Sequence, residues 1–167
     1  TTFATNDQKV HSITDDGAPV NPNSSLSSVL DANGECATYR WAFDAPVSNV
    51  SFRVNDIDFS SEVTIKAYDA NGNLVPINTA AGAGIKTYNL DGVAGNEQLE
   101  ANSGNLSSDP ADTDPTYSTL VNIAGPITRL EITHNMDSSL SNANAGINVT
   151  DIYFDTTTYD AGSGLVG

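Results

Sequence analysis

Cysteine occurs once in the 167 residues, as Cys36, so the chain cannot form an internal disulfide and is not a disulfide scaffold. A lone cysteine opening an apolar run is expected to be a small buried hydrophobe. Basic residues are also scarce: six Lys and Arg stand against 21 Asp and Glu, a net charge of −15. That balance excludes nucleic-acid binding, which needs cations against phosphates, and disfavours docking on anionic lipid. No apolar run approaches the roughly 20 residues that span a bilayer, so membrane insertion is not expected. The motifs of catalysis are missing too: there is no Gly-x-Ser-x-Gly, no His-Glu-x-x-His, no phosphate loop and no Cys-x-x-Cys. With 21 acids some carboxylate pair is inevitable, so a pair is no sign of a glycosidase. His11, Cys36 and His134 have no zinc-ligand spacing, and His134 reads as a loop residue. No enzyme is expected.

What the sequence has instead is Asn, Ser and Thr, at 18, 17 and 17 residues, against three Lys and five Glu. Such a surface favours turns and strands over helices. From residue 36 the apolar period becomes two: Tyr39, Trp41, Phe43; Val50, Phe52, Val54; Val63, Ile65, Ala67. Pro46 breaks the first pair of runs. Asp69-Ala70-Asn71-Gly72-Asn73 reads as a hairpin turn, since Asn-Gly supplies positive φ. Its Asp-x-Asn-x-Asn start fails as an EF-hand, because no Glu closes the loop. Further strands are expected over 85–90, 117–123, 127–133 and 147–154. Residues 24–30 are expected as a helical turn or an edge strand, 94–101 as a helical turn, and 109–114 as a projecting acidic loop. The expected fold is all-β: an antiparallel sandwich, best matched by a jelly roll, with long polar loops and little helix. Residues 1–23 form a polar N-terminal segment, 24–157 the sandwich and 158–167 a polar tail. Trp41, Phe43, Phe52, Val54, Ile65, Leu130, Ile132 and Phe154 are expected to face inward. The chain opens on Thr1 with no signal segment, which reads as a processed or excised domain.

Three stretches carry a family resemblance: Arg40 to Phe52, Asn55-Asp56-Ile57-Asp58 with 63–73, and 127–133 with Gly146 to Asp155. Their order resembles a β-sandwich domain of large secreted marine-bacterial proteins associated with hemolysin-type (RTX) calcium-binding repeats. The last strand is similar to the closing strand of galactose-binding-like and carbohydrate-binding jelly rolls. The resemblance implies secretion and a surface or adhesive role. The chain itself holds no Gly-Gly-x-Gly-x-Asp repeat.

Calcium takes six to eight hard oxygens, and the acidic residues are where they would come from. The candidate ligands are Asp56 and Asp58, two apart at a strand end; Asp151, inside the last strand, where a bare carboxylate is costly; Asp155 on the same strand; and Asp31 in a turn. Asp15, Asp16 and the 109–114 loop are weaker candidates. Tyr88, Tyr117 and Tyr159 are the candidate surface aromatics, and sequons stand at Asn23, Asn49, Asn105 and Asn148. The function expected is a non-catalytic, extracellular, calcium-stabilised module for adhesion or carbohydrate binding at a cell surface. Its partner is a carbohydrate or cell-surface ligand. The alternative is a subunit of an extracellular filament or surface layer, with copies of itself as partners, assembling by strand addition through its termini.

Overall fold

A computed structural model describes residues 2–6, 25–102, 110–112, 114–137 and 144–156. In chain order the strands are β1 (Thr2–Asn6), β2 (Ser25–Leu30), β3 (Cys36–Asn55), β4 (Ser61–Tyr68), β5 (Asn78–Ala81) and β6 (Ile85–Tyr88). They continue as β7 (Gln98–Ala101), β8 (Thr119–Ile123), β9 (Ile127–Met136), β10 (Ala145–Val149) and β11 (Tyr153–Thr156). All the strand pairs are antiparallel. A 3-10 turn at Pro115–Tyr117 is the helical element among the described residues, and none of them forms a helix long and apolar enough to cross a membrane.

The architecture follows from β3, which is 20 residues long. Its first part, Cys36–Ala42, pairs with β9, and its second part, Val50–Val54, pairs with β8. β8 and β9 therefore follow β3 along one edge as it passes between the two layers. β10 and β11 take the other edge of the second part, at Val54–Asn55 and Val47–Ser51. One layer is β3 (first part), β9, β4, β7 and β6. The other is β1, β2, β10, β3 (second part), β8 and β5, with β11 beside β10 on the same edge of β3. From β4 to β10 the chain crosses between the layers repeatedly, with β6 and β7 a hairpin inside one of them, and β3, which bends from one sheet to the other, makes the corner. The expected all-β sandwich is the fold observed. Pro46 does not end the strand. It sits where pairing with β9 shifts register between Ala42 and Val47, a position that needs no N–H in a ladder. Gly125 takes φ 79° beside this corner, where an added Cβ would lie 2.8 Å from the Val47 carbonyl oxygen.

The period-two runs bury one face each. Phe52, Val54, Val63, Ile65, Leu99, Val121, Leu130, Ile132, Ile147 and Val149 are all at 2% exposure or less, and they join one core between the layers. The Asn-Gly hairpin forms as expected: the Asp69 carboxylate accepts from the backbone N–H groups of Asn71 and Asn73, both at 2.8 Å, and Gly72 takes φ 82°. The side-chain bond from Asn73 holds the Asp69 carboxyl below its usual range.

Several expectations are corrected. Of the two alternatives for 24–30 the strand is the one observed, over Ser25–Leu30, and it is not an edge, because β1 and β10 flank it. The 94–101 region holds strand β7 where a helical turn was expected, since its backbone bonds go across to β4 and β6. Within the N-terminal segment, Thr2–Asn6 pairs with β2 of its own chain. Most of 1–23, all of 158–167, His11, Asp15, Asp16, Asp109 and Tyr159 lie outside the described residues.

Candidate functional site: an aromatic groove where the layers part

The large inward residues of β3 before its register shift are Tyr39, Trp41 and Phe43, with Ala37 ahead of them. Tyr39 is 8% exposed, whereas Trp41 and Phe43 are only partly buried against the core. The loss of cover reflects what lies opposite. β10 ends at Val149, and the chain crosses to β11 through Thr150, Asp151 and Ile152 without filling the space above the two rings. Trp41 stacks beside Tyr39 at 6.0 Å between ring centroids, with planes 22° apart. Phe43 meets Phe154 edge-on at 5.2 Å. Trp41, Phe43 and Phe154, with Leu26 of β2 and residues 149–152, line a half-open groove of about 240 Å³.

One wall of the groove is fixed by backbone bonds. The Thr150 N–H donates to the Arg53 carbonyl at 3.0 Å, and the Arg53 N–H donates to the Thr150 hydroxyl oxygen at 2.8 Å. That clamp holds the 150–152 link against β3 and sets Asp151 at the rim. Asp151 is the carboxylate that lines the groove among the described residues. Among the described residues the groove therefore offers three aromatic rings with the Asp151 carboxylate and the Thr150 hydroxyl beside them.

This site was hidden in the sequence. Trp41, Phe43 and Phe154 were expected inside, but Phe154 is 41% exposed and Leu26 36%. Alternation shows which face of a strand a residue takes, and it cannot show whether the facing layer extends far enough to cover it. Asp151 is also corrected: it stands between β10 and β11 and not inside a strand, which removes the cost of burying it in a ladder.

The other expected ligands are spread apart. Asp31 is exposed in the turn after β2, and its N–H donates to the Glu35 carboxylate at 3.1 Å. Asp56 follows β3 with φ 64° and is half-buried, while Asp58 is 3% exposed and its backbone carbonyl accepts from Ser61. Asp155 is exposed and accepts from the Asn49 amide at 2.7 Å. Among the described residues, no three His, Cys, Asp or Glu side chains lie together as a metal site. In the acidic loop, Asp114 caps the 3-10 turn by accepting from the Thr116 N–H. Tyr88 and Tyr117 are half-buried: Tyr88 donates to Glu100 at 2.5 Å and Tyr117 lies against Gly84. Of the sequons, Asn148 is 6% exposed and closed to a glycan in the folded chain, while Asn23 and Asn105 lie outside the described residues.

Two further residues differ from expectation. Cys36 is exposed, because it takes the outward face of β3 while Ala37 takes the core. His134 lies inside β9 and is fully buried, not in a loop. Its Nδ1 is 2.8 Å from the Ser28 hydroxyl. Its Nε2 has no partner among the described residues, and burial lowers the imidazole pKa from 6.5 to about 4.

No family model matches the chain, and no curated protein matches it. Among solved structures, it is similar to the K3 cleaved adhesin domain of Lys-gingipain from Porphyromonas gingivalis W83. The two share 15% identity over 92% of this chain and 91% of that one, with a TM-score of 0.39. A likeness at that level assigns neither ligand nor role.

Proposed function

We propose that the chain is a non-catalytic binding module of an extracellular protein, and that its aromatic groove takes a saccharide. The observation that carries this reading is the set of core-type rings, Trp41, Phe43 and Phe154, that the described residues leave partly open around a groove with one described carboxylate in its lining. Aromatic faces take the apolar C–H faces of sugar rings, and Asp151 accepts hydroxyl protons. Composition supports an extracellular setting: a surface built of Asn, Ser, Thr and Asp with 21 acids and six bases.

The chain has one tryptophan, so its emission reports the groove directly. Titration with neutral oligosaccharides from a glycan array should give a saturable change in Trp41 emission. Trp41→Ala should remove binding by any assay, and Asp151→Asn should weaken it about tenfold, as loss of a charged acceptor does. A groove whose emission responds to no glycan on the array overturns the saccharide reading.

Assembly by strand addition draws less support, because Thr2–Asn6 already pairs with its own β2. Deleting residues 1–14 separates the two: a filament subunit loses its polymers in electron micrographs and stays folded, whereas a module keeps its assembly state and ligand.

A further inference from the structure

We propose that the outer face of the β3–β9–β4 layer is a second binding surface, for an acidic polysaccharide bearing carboxylate or sulfate groups. This surface is independent of the groove, since Arg40 and Trp41 are neighbours on β3 with opposite facing.

The argument begins with where the few cations are. Of the six Lys and Arg, Lys9 lies outside the described residues and Arg53 is buried at 8% exposure. The other four, Arg40, Arg129, Lys66 and Lys86, all stand on the outward side of this one layer. Strand register places them in rows. Arg40, Glu131 and Lys66 lie directly across β3, β9 and β4. Ala42, Arg129 and Tyr68 form the row on one side, and Thr38, Thr133 and Thr64 the row on the other.

Within these rows a single carboxylate serves three cations. Glu131 is 2.7 Å from Arg40 Nε and 3.3 Å from Arg129 Nε, with Lys66 opposite it on β4. The patch thus has two positive charges in excess, in a chain of net charge −15. Glu62 lies one row past the threonines and accepts from the Asn135 amide at 3.4 Å. Glu100 offsets Lys86 at 3.9 Å. The rest of the molecule repels anions, so an anionic ligand is drawn to this face by charge complementarity.

The shape and chemistry favour a glycan. A polar groove of about 270 Å³ runs between Thr64, Lys66, Tyr68, Glu131 and Thr133. It supplies hydroxyls and ammonium as donors, and a Tyr68 ring held by the Arg129 guanidinium 3.9 Å from its centroid. β9 and β4, which line this groove, are central strands paired on both edges, so their backbone has no ladder to offer an extended peptide, and the open edge of Cys36–Ala42 lies outside the groove's lining. Side chains alone read the ligand here, which suits a sugar chain laid across the strands.

The test uses the full chain with a hexameric polygalacturonate, its fully methyl-esterified neutral form, and a poly-glutamate peptide of equal charge, all in chelator. The acid hexamer should bind, and more weakly as salt rises. The neutral form should bind at least tenfold more weakly. Lys66→Ala and Arg40→Gln, both at outward positions, should each reduce acid-hexamer binding about tenfold with melting temperature and Trp41 emission unchanged. Failure of the acid hexamer to bind, equal binding of the neutral form or of poly-glutamate, or indifference to both substitutions overturns the proposal. A lost Trp41 response to neutral glycans in the groove leaves this result untouched, so the two readings fail separately.

Discussion

The two parts of β3 carry similar sequences and meet different fates. Both alternate large apolar residues with small or polar ones: Tyr39, Trp41, Phe43 in the first part and Val50, Phe52, Val54 in the second. The second part is paired along both edges, by β8 on one side and by β10 and β11 on the other, and its three inward residues are at 2% exposure or less. The first part pairs with β9 through Cys36–Ala42, and among the described residues no strand pairs with its other edge. Cover fades along it, from Tyr39 at 8% to Trp41 and Phe43 lying half-open. Neighbours, then, decide whether a buried-type residue stabilises the fold or forms a surface.

The largest effect is expected in the second part. Phe52→Ala removes a ring that is 2% exposed between the layers, and it should cost about 3–5 kcal/mol by the measured range for such truncations. Chemical denaturation checks it. A loss of 1 kcal/mol or less would mean that this half is no better packed than the groove.

Next in size is an acid effect beside the first part, where His134 pairs with Ala37 of β3. Burial lowers the His134 pKa from 6.5 to about 4, so the unfolded chain takes up the proton first as pH falls. The stability of the neutral histidine is whole above pH 6.5 and is lost as the pH drops towards 4, by about 3 kcal/mol over that window. The urea midpoint should therefore fall more steeply between pH 7 and 4.5 in the parent chain than in His134→Gln. Parallel slopes would show that His134 does not carry the acid sensitivity. The loss should be felt first at the Ser28–His134 contact that joins β2 to β9.

Cations offer a third way to sharpen the contrast. Asp56 and Asp58 follow the second part of β3, and Asp151 and Asp155 lie on the chain paired along its edge, so four of the five candidate ligands border the embedded half. We propose that calcium stabilises this half, on the strength of the −15 charge and that placement. A cation bound by the folded chain alone adds about 2.7 kcal/mol at 100 times its Kd, or several degrees in Tm. Millimolar calcium should raise Tm over chelator at fixed ionic strength and slow amide exchange in β10 and β11 more than in Cys36–Ala42. Identical melting in calcium and chelator would sink the idea, and an equal rise in magnesium would reduce it to charge screening.

The strands and the Asn-Gly hairpin were legible because each rests on local chemistry: a period of two, or a turn that needs positive φ at Gly72. What depends on distant chain was not. Nothing near Pro46 shows that the chain runs on through a register shift into the other layer. His134 read as a loop residue because its neighbours Asn135 and Met136 carry no strong pattern, yet β3 and β4 flank it from 97 and 71 residues upstream, at Ala37 and Val63. The groove was illegible for the same reason, since its walls come from β2, β3 and the β10–β11 link.

The smallest effect on stability, and the sharpest comparison, comes from making the Phe52 change again at Phe43. The residue, the substitution and the strand are the same, and the two sites are nine positions apart. Phe43 is only partly covered, and its main ring contact is the edge-on meeting with Phe154, itself 41% exposed. An aromatic pair of that kind contributes about 0.5–1.5 kcal/mol beyond area, and a half-open ring takes little area from water. Phe43→Ala should therefore cost about 1 kcal/mol, close to that of Phe154→Ala, and the double variant should lose less than the sum because the two rings are in contact. Glycan binding in the groove should drop in all three. If Phe43→Ala instead destabilises the chain as much as Phe52→Ala, the groove is core that something covers in solution, and the contrast between the two parts of β3 disappears.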